Sequence, residues 1–255
     1  MAILWEKRQG DVCYQVRSAG RTRRLYTDGV FHSQFRPQAA QAGGIWDLLW
    51  LPALLAPAGT LRRVLVLGVG GGTVIRQIRR YLAVETLTGV ELNPIHLQVA
   101  RRFFGVTPAM AELIEADALA WLEAYAGPPF DLIIDDLFGE KNGEPVRAVA
   151  ANPRWCRLLC RNLSKEGLLV MNFVAAADLR NSALVAYRKL QDEFASRLRL
   201  TLPAYENAIG AFTRFPALAR DLRNRIDALP GFADLPVKIW QIAPELDRET
   251  GRGQR

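Results

Sequence analysis

A short apolar segment, Arg63–Leu67, is followed at once by a glycine-rich loop, Gly68–Thr73, and then by apolar residues at helical spacing. An apolar run without alternation is typical of a strand buried on both faces of a parallel sheet. Glycines directly after such a strand permit positive φ angles and let the loop backbone approach a ligand closely. This unit indicates an α/β fold with a ligand at the carboxyl ends of the strands.

The alternation of strands and helices continues along the chain. After a helix over 73–82, the pattern predicts three strand–helix pairs and a last strand: Thr86–Val90 with Pro94–Phe104, Glu112–Glu115 with Asp117–Tyr125, Phe130–Asp135 with 145–162, and Gly167–Phe173. Packing helices are expected over 184–194 and 218–229. We therefore expect an α/β, Rossmann-like, seven-stranded, mostly parallel sheet with helices on both faces.

The first 36 residues have a different pattern. Val12–Val16 alternates between polar and apolar residues, and Asp28-Gly29 is a hairpin turn signal. The expected organisation is an N-terminal β-hairpin region over 1–36, a Rossmann-like nucleoside-binding catalytic domain over 37–247 and a flexible tail over 248–255. An apolar helix is expected within Ile45–Leu55.

Composition narrows the class of protein. The net charge of +7 favours anionic partners, but the arginines are scattered and no nucleic-acid-binding motif is present, so nucleic acid is not expected as a partner. Three cysteines and two histidines do not suggest a disulfide framework or a four-ligand zinc site, so we expect no metal. The N-terminus is charged by Glu6, and no apolar run reaches membrane-spanning length. A cytoplasmic protein without membrane association is the expectation.

Acidic residues follow three of the predicted strands. Glu91 lies about 20 residues after the loop, where an acid can accept hydrogen bonds from ribose hydroxyls, although a solvated strand end is the alternative. Asp117 is placed to accept from an adenine amino group, to cap the next helix, or both. Asp135 and Asp136 are neighbours on a strand and point in opposite directions, so one of them is expected to face the site. Alternatively, loop amides satisfy both.

Five segments of the chain carry motif-like patterns: Leu25–Phe31, Leu65–Gly72, Val90–Pro94, Phe130–Asp136 and Glu206–Phe212. The first four are similar to LxLDGxxQ, VLVIGGGDGG, VEIDP and YDVIIVD, and the fifth to a late strand, of the spermidine synthases, the aminopropyltransferase branch of the class I S-adenosylmethionine-dependent methyltransferase-like fold. The resemblance extends over about residues 23–215, and Val66 stands where ordinary methyltransferases usually carry an acid.

The resemblance implies roles for individual residues. Glu91 would bind the ribose, Asp117 the adenine, and Asp136 would deprotonate the attacking amine; the remaining nucleoside contacts would be Gly68, Gly70, Gly71, Gly72 and His32. The implied co-substrate is S-adenosylmethionine or its decarboxylated form, with a small-molecule acceptor. Because spermidine synthases commonly form dimers or tetramers, a homodimer is expected.

The chain departs from the family at positions suited to hold polyamine cations. Gly71 replaces the acid of the glycine loop, His32 replaces a glutamine, and the segment Asp136–Glu140 lacks the second acid of the family motif DSSDP. The family's acid pair is replaced here by Pro37-Gln38, and its Tyr-Gln/His pair falls near Gly44-Ile45. Desolvating an ammonium group without a carboxylate costs several kcal/mol. Asp135, Glu140 or Glu144 are candidates to replace the lost substrate-binding acids.

Four functions are compatible with these residues to different degrees. The first is aminopropyl transfer with Asp136 as base. The second is an S-adenosylmethionine-dependent methyltransferase, because Gly71 does not repel the ligand carboxylate and Arg76 would attract it. The third is a non-catalytic relative that binds a nucleoside or a partner. A nicotinamide dehydrogenase is disfavoured, because Thr73 replaces the last glycine of GxGxxG.

Overall fold

The structure is a computed structural model that describes residues 1–141 and 144–243, without the side chains of Glu140, Lys141 and Glu144. The strands in chain order are β1 (Ala2–Gln9), β2 (Val12–Ala19), β3 (Thr22–Thr27), β4 (Val30–Phe35), β5 (Arg63–Leu67), β6 (Thr86–Glu91), β7 (Glu112–Glu115), β8 (Phe130–Asp135), β9 (Phe138–Lys141), β10 (Glu144–Arg147), β11 (Leu163–Phe173), β12 (Ser196–Thr201), β13 (Ala208–Thr213) and β14 (Lys238–Gln241). The α-helices are α1 (Ile45–Trp50), α2 (Thr73–Tyr81), α3 (Pro94–Arg102), α4 (Ala118–Ala124), α5 (Pro153–Arg161), α6 (Ala176–Asn181), α7 (Ala183–Ala186), α8 (Arg188–Gln191) and α9 (Ala219–Asp227).

Eight of the described strands form the central sheet, in the order β14-β12-β13-β11-β8-β5-β6-β7. Five neighbouring strands, β11, β8, β5, β6 and β7, are parallel to one another. The other three, β13, β12 and β14, each run antiparallel to their inner neighbour. The expected mostly parallel α/β sheet is confirmed, with one strand more than the seven predicted. The extra strand, β14, is a four-residue, mainly exposed edge strand, and so short a segment gives little periodic signal.

The central strands are buried on both faces. Val64 and Val66 of β5 pack into the core that also contains α1, α2 and α9, whereas Leu65 and Leu67 pack against α4 and α5 on the other face. Adjacent strand residues point to opposite faces, so a continuous apolar run supplies two cores at once. The sheet edge at the carboxyl ends of β5, β6 and β8 is thereby held rigidly.

The N-terminal region is a four-stranded antiparallel sheet in the order β1-β2-β3-β4. The predicted turn joins β3 to β4, with φ of 46° at Asp28 and 83° at Gly29. Its inner face, including Val16 and Leu25, packs against Ile95 and Val99 of α3. This contact places β4 over the glycine loop of the central sheet.

Two helix predictions were wrong in their extent. The helix expected over 145–162 begins only at Pro153, because Asn152 caps it, and β10 precedes it as a hairpin partner of β9. Proline disfavours the helical conformation of the residue before it, here Asn152, which explains the late start of the helix. The helix expected over 184–194 is divided at Tyr187, whose φ and ψ of −108° and 113° are extended, into α7 and α8. The tail over 248–255 lies outside the described residues.

Candidate nucleoside and catalytic site

The glycine loop meets the end of β8 at a backbone contact. A Cβ on Gly68 would lie 2.2 Å from the carbonyl oxygen of Asp136, and Gly68 has a φ of +84°. The amide of Asp136 donates to the carbonyl oxygen of Leu67 at 2.8 Å. Only glycine fits both the conformation and the close approach. The backbone at Gly68 therefore lies directly against that of Asp136, the predicted catalytic residue.

The rest of the loop lies beneath β4. The amide of Gly71 donates to Ser33 Oγ at 2.7 Å, and a Cβ on Gly70 would lie 2.7 Å from the same oxygen. A Cβ on Gly71 would lie 2.7 Å from the ring of Phe104. The position that carries an acid in the resembled motif therefore has no room for a side chain here.

The Glu91 carboxylate, at the end of β6, is bound to the chain itself. Oε2 accepts from the amides of Val69 and Gly70, both at 2.9 Å, and Oε1 accepts from the Asn93 amide at 2.9 Å. The side chain is 10% exposed. A carboxylate has about four acceptor positions and the three amides leave about one, so two ribose hydroxyls could bind Glu91 together only by displacing at least one loop amide.

Two histidines lie beside Glu91. Nδ1 of His96, on α3, is 3.7 Å from Glu91 Oε1, and its Nε2 is 2.9 Å from the hydroxyl of Thr27. Burial raises the pKa of Glu91, but His96 and the amides of Asn93 and Gly70 outweigh burial and hold this pKa below its usual range. Glu91 is therefore ionised at neutral pH.

His32 lies on β4 with its ring centroid 5.0 Å from that of His96. Burial and the charge of His96 lower the pKa of His32 to about 4, against a smaller opposing effect of Glu91. Its imidazole is consequently neutral at physiological pH. Nε2 of His32 is buried without a hydrogen-bond partner among the described residues.

Asp136 lies just beyond β8 and is half-buried. Its Oδ1 accepts from Asn172 Nδ2 of β11 at 2.8 Å, and Asn207 Nδ2 donates to Asn172 Oδ1 at 3.0 Å. Burial, with a smaller contribution from the charge of Asp135, raises the pKa of Asp136 to about 6, although the Asn172 hydrogen bond opposes the rise. A carboxylate of this kind is ionised at neutral pH and accepts a proton readily.

Asp135 points to the other face of the sheet and is fully buried. Its Oδ2 accepts from Arg147 Nη2 at 2.8 Å and from Trp155 Nε1 at 2.7 Å, and its Oδ1 from the Leu137 amide at 3.3 Å. The two aspartates thus have different partners, and the expectation that only one of them faces a ligand stays a prediction. Asp135 has no free approach for a substrate, because Arg147 and Trp155 enclose it.

The three remaining acids predicted for the site differ in how far the structure places them. Asp117, at the carboxyl end of β7, is exposed and caps α4 by accepting from the Ala120 amide at 2.8 Å. This cap is compatible with a contact to a base. Glu140 lies on β9 and Glu144 on β10, but both side chains lie outside the described part of the chain. Their proposed substrate contacts therefore stay predictions.

One exposed apolar residue lies at the same edge of the sheet, and aromatic residues pack around α1. Leu92, directly after Glu91, is 67% exposed, which suits a platform for a planar base. The Tyr205 hydroxyl lies 2.8 Å from the position of a Cβ on Gly44, and Trp46 packs edge-on against Phe31 with ring centroids 5.0 Å apart. These contacts connect the start of α1 with β4 and with the segment between β12 and β13.

Two features are absent from the described residues. No group of three or more His, Cys, Asp or Glu side chains there is arranged to hold a metal ion. None of the helices in the described ranges has the length and apolar character needed to cross a bilayer.

The fold defines the class of protein: a methyltransferase-like α/β chain with an added N-terminal sheet. It is similar to a probable spermidine synthase from Corynebacterium glutamicum, with a TM-score of 0.74 and 18% identity over 94% of this chain and 91% of that one. It is also similar to human methyltransferase-like protein 13 in complex with SAH, with a TM-score of 0.56 and 19% identity over 71% and 87% of the two chains.

Residues 48–214 match the family model of the spermine/spermidine synthase domain. The chain belongs to the spermine/spermidine synthase family. It is 29% identical to a polyamine aminopropyltransferase of Chromobacterium violaceum over 67% of this chain and 65% of that protein. A polyamine aminopropyltransferase of Ralstonia nicotianae is 35% identical over 58% of this chain and 29% of that protein. The match thus spans less than two thirds of the length of these curated relatives.

Several residues of the site were not predicted as functional from the sequence. Asn172 and Asn207 position the Asp136 carboxylate, His96 supports Glu91, and Arg147 neutralises Asp135. Asn172 could have been noticed in the sequence, because it is a polar residue near the carboxyl end of the apolar strand Gly167–Phe173. The others have no comparable local signal, because their partners are distant in sequence.

Proposed function

We propose that the chain is a transferase that binds decarboxylated S-adenosylmethionine, or S-adenosylmethionine itself, and transfers an aminopropyl group to an amine, with Asp136 as the base. One observation carries the proposal: a single carboxylate with a pKa raised to about 6 lies at the carboxyl edge of the sheet, against the glycine loop. Membership of the spermine/spermidine synthase family supports the same chemistry.

The proposed step balances without a further reactant. The amine nitrogen forms a bond to the aminopropyl carbon attached to the sulfonium, and the carbon–sulfur bond breaks with its electron pair on sulfur. The product nucleoside is then a neutral thioether. Because an amine near pKa 10 carries a proton at neutral pH, Asp136 is suited to orient the amine and to accept the proton that it loses.

Binding of the nucleoside follows from the residues around Glu91. In the proposed complex the ribose hydroxyls replace the amides of Val69 and Gly70 on the carboxylate, Leu92 contacts the base, and Asp117 accepts from the adenine amino group. His32, neutral at physiological pH, adds a donor and an acceptor without adding charge. These contacts are proposals, and the exposure of Leu92 and Asp117 supports them.

The test compares Asp136→Asn with the unchanged protein in a transfer assay with decarboxylated S-adenosylmethionine and a set of mono-, di- and triamines. We expect kcat to fall at least a hundredfold, in the range typical of a lost general base, while the dissociation constant for methylthioadenosine stays within about threefold, because the nucleoside contacts remain. Asp11→Asn, in an exposed turn, controls for the loss of one negative charge. Unchanged turnover in Asp136→Asn would remove Asp136 from the mechanism.

A methyltransferase is the second candidate, favoured by the packing around Gly71. The ring of Phe104 and the side chain of Ser33 occupy the space where the resembled motif carries an acid, so no carboxylate at Gly71 repels the carboxylate of S-adenosylmethionine. Calorimetric titration with both forms of the co-substrate separates the candidates. Tighter binding of the decarboxylated form supports aminopropyl transfer, tighter binding of S-adenosylmethionine supports methyl transfer, and binding of neither contradicts both.

A further inference from the structure

A second recess lies on the outer side of α2. It is a cavity of about 300 Å³ between α2 and the segment that follows β4. None of the loop glycines, Glu91 or Asp136 lines it, so it is separate from the site described above. The charged residues of its lining are Arg36, Arg76, Arg79 and Arg80; among the residues that the structure describes, no Asp or Glu lines it.

Backbone carbonyl groups orient three of the four guanidinium groups. Nη1 of Arg76 donates to the carbonyl oxygens of Phe104 at 2.9 Å and Gly105 at 3.0 Å, and Nη1 of Arg80 to that of Ala39 at 2.6 Å. Arg79 donates from Nη1 to the carbonyl oxygen of Val84 at 2.6 Å. A carbonyl fixes the direction of a guanidinium group but does not neutralise its charge, and each guanidinium keeps further N–H donors.

Two of the positive charges of the cavity, Arg76 and Arg80, are close enough for one to affect the other. Arg76 is half-buried and stacks over the ring of Phe35 at 4.2 Å, and burial together with the charge of Arg80 lowers the pKa of Arg76. Arg36 is exposed, and its side chain has no hydrogen bond or ion pair within the described part of the chain. A bound anion would relieve this repulsion and use the free donors.

One acidic residue, Asp47, contacts a residue of the cavity lining, but its carboxylate already accepts several hydrogen bonds. Asp47 accepts from the lining residue Gln77 at 2.8 Å, but the same carboxylate is fully buried and also accepts from the amides of Ala42 at 2.9 Å and Gly43 at 2.7 Å. These bonds hold the wall of the cavity in place. Among the described residues, Asp47 forms no ion pair with the arginines of the cavity.

We propose that this cavity binds a small polyanion that carries two or more phosphate groups. Guanidinium groups bind phosphate oxygens in pairs of parallel hydrogen bonds, and four of them around one recess suit a ligand with several negative charges. The volume is at the lower end of ligand pockets, which fits a compact anion rather than a nucleic-acid strand. This site is independent of the proposed transfer reaction.

Calorimetric titration with inorganic pyrophosphate, at about 150 mM salt to screen diffuse attraction, tests the proposal. Pyrophosphate is preferred to a nucleotide because it contains no nucleoside that would enter the other site. We expect a single site whose dissociation constant rises about tenfold or more in Arg36→Gln and in Arg80→Gln. Arg36 has no intramolecular bond among the described residues, so Arg36→Gln is expected to fold normally. Lys165→Gln, which removes one charge from an exposed position on β11, is expected to change binding less than twofold.

Three outcomes would overturn the assignment. The first is the absence of one-site binding by the folded protein. The second is equal weakening by Lys165→Gln and by the arginine variants, which would mean diffuse attraction to the net charge. The third is displacement of pyrophosphate by methylthioadenosine or by single-stranded RNA, which would place the anion in the nucleoside site or on a wider nucleic-acid surface. Because no transfer is measured, a failed transfer assay does not affect this test.

Discussion

Replacing Asp136 by asparagine is expected to stabilise the protein at neutral and alkaline pH. The pKa of Asp136 is raised from its ordinary 3.8 to about 6, chiefly by burial. A carboxyl with a raised pKa favours the folded state only when it is protonated, so its contribution is present below pH 3.8 and is lost as the pH rises through 6. Each unit between the two pKa values corresponds to about 1.4 kcal/mol, so the ionised group lowers the free energy of unfolding by up to about 3 kcal/mol.

The asparagine variant has no charge to bury and keeps an oxygen that can accept from Asn172. The free energy of unfolding of Asp136→Asn minus that of the unchanged protein should therefore be near zero at about pH 4. It should rise to at most about 3 kcal/mol by pH 8, with most of the change between pH 4 and 6. Since Asp136 is half-buried, residual solvation lowers the observed value below this limit.

Urea unfolding of both proteins across this pH range provides the measurement, because the other titrating groups cancel in the difference. A difference that does not vary with pH, or that falls as the pH rises, would refute the assignment of a raised pKa to Asp136. The same variant should have lost turnover, so one substitution would raise stability and abolish activity. That combination is expected of a charge buried for chemistry rather than for folding.

Further predictions concern the neighbours of this residue. In Asn172→Ala the hydrogen bond that lowers the Asp136 pKa is lost, so the acidic limb of the kcat/KM profile should move upward from about pH 6, and an unmoved limb would contradict the assignment. Arg147→Met leaves the buried Asp135 without its cation and should lower the unfolding free energy by about 3–5 kcal/mol in urea. Gly68→Ala, at φ +84° and against the Asp136 carbonyl, should cost more than about 1 kcal/mol of stability and weaken methylthioadenosine binding in calorimetry. The stability lost in Glu91→Gln should shrink as the pH falls below about 4.5, because the Glu91 pKa is lowered; a pH-independent loss would contradict this.

The central fold and the position of the candidate site could be read from local patterns. A run such as Arg63–Leu67 predicts a strand buried on both faces because neighbouring side chains point to opposite sides, and the glycines after it predict a turn that only small residues fit. The carboxyl ends of parallel strands meet at one edge, so Glu91 and Asp136 were expected together. The same local reasoning missed β10 and the break at Tyr187, where short-range propensity is a weak guide.

The sequence by itself determined the strand–helix alternation of the parallel part of the sheet, the conformations that require glycine, and the resemblance of the motifs, because each depends on residues close to one another in the chain. Only the tertiary structure decided what each acid contacts. Glu91 meets amides 22 and 21 positions away, Asp136 meets Asn172 36 positions away, and Asp135 meets Arg147 across a hairpin. Such pairs are set by strand register and helix packing rather than by neighbouring residues. The burial that raises the Asp136 pKa, and the closure of the space at Gly71 by Phe104 and Ser33, likewise come from the tertiary packing.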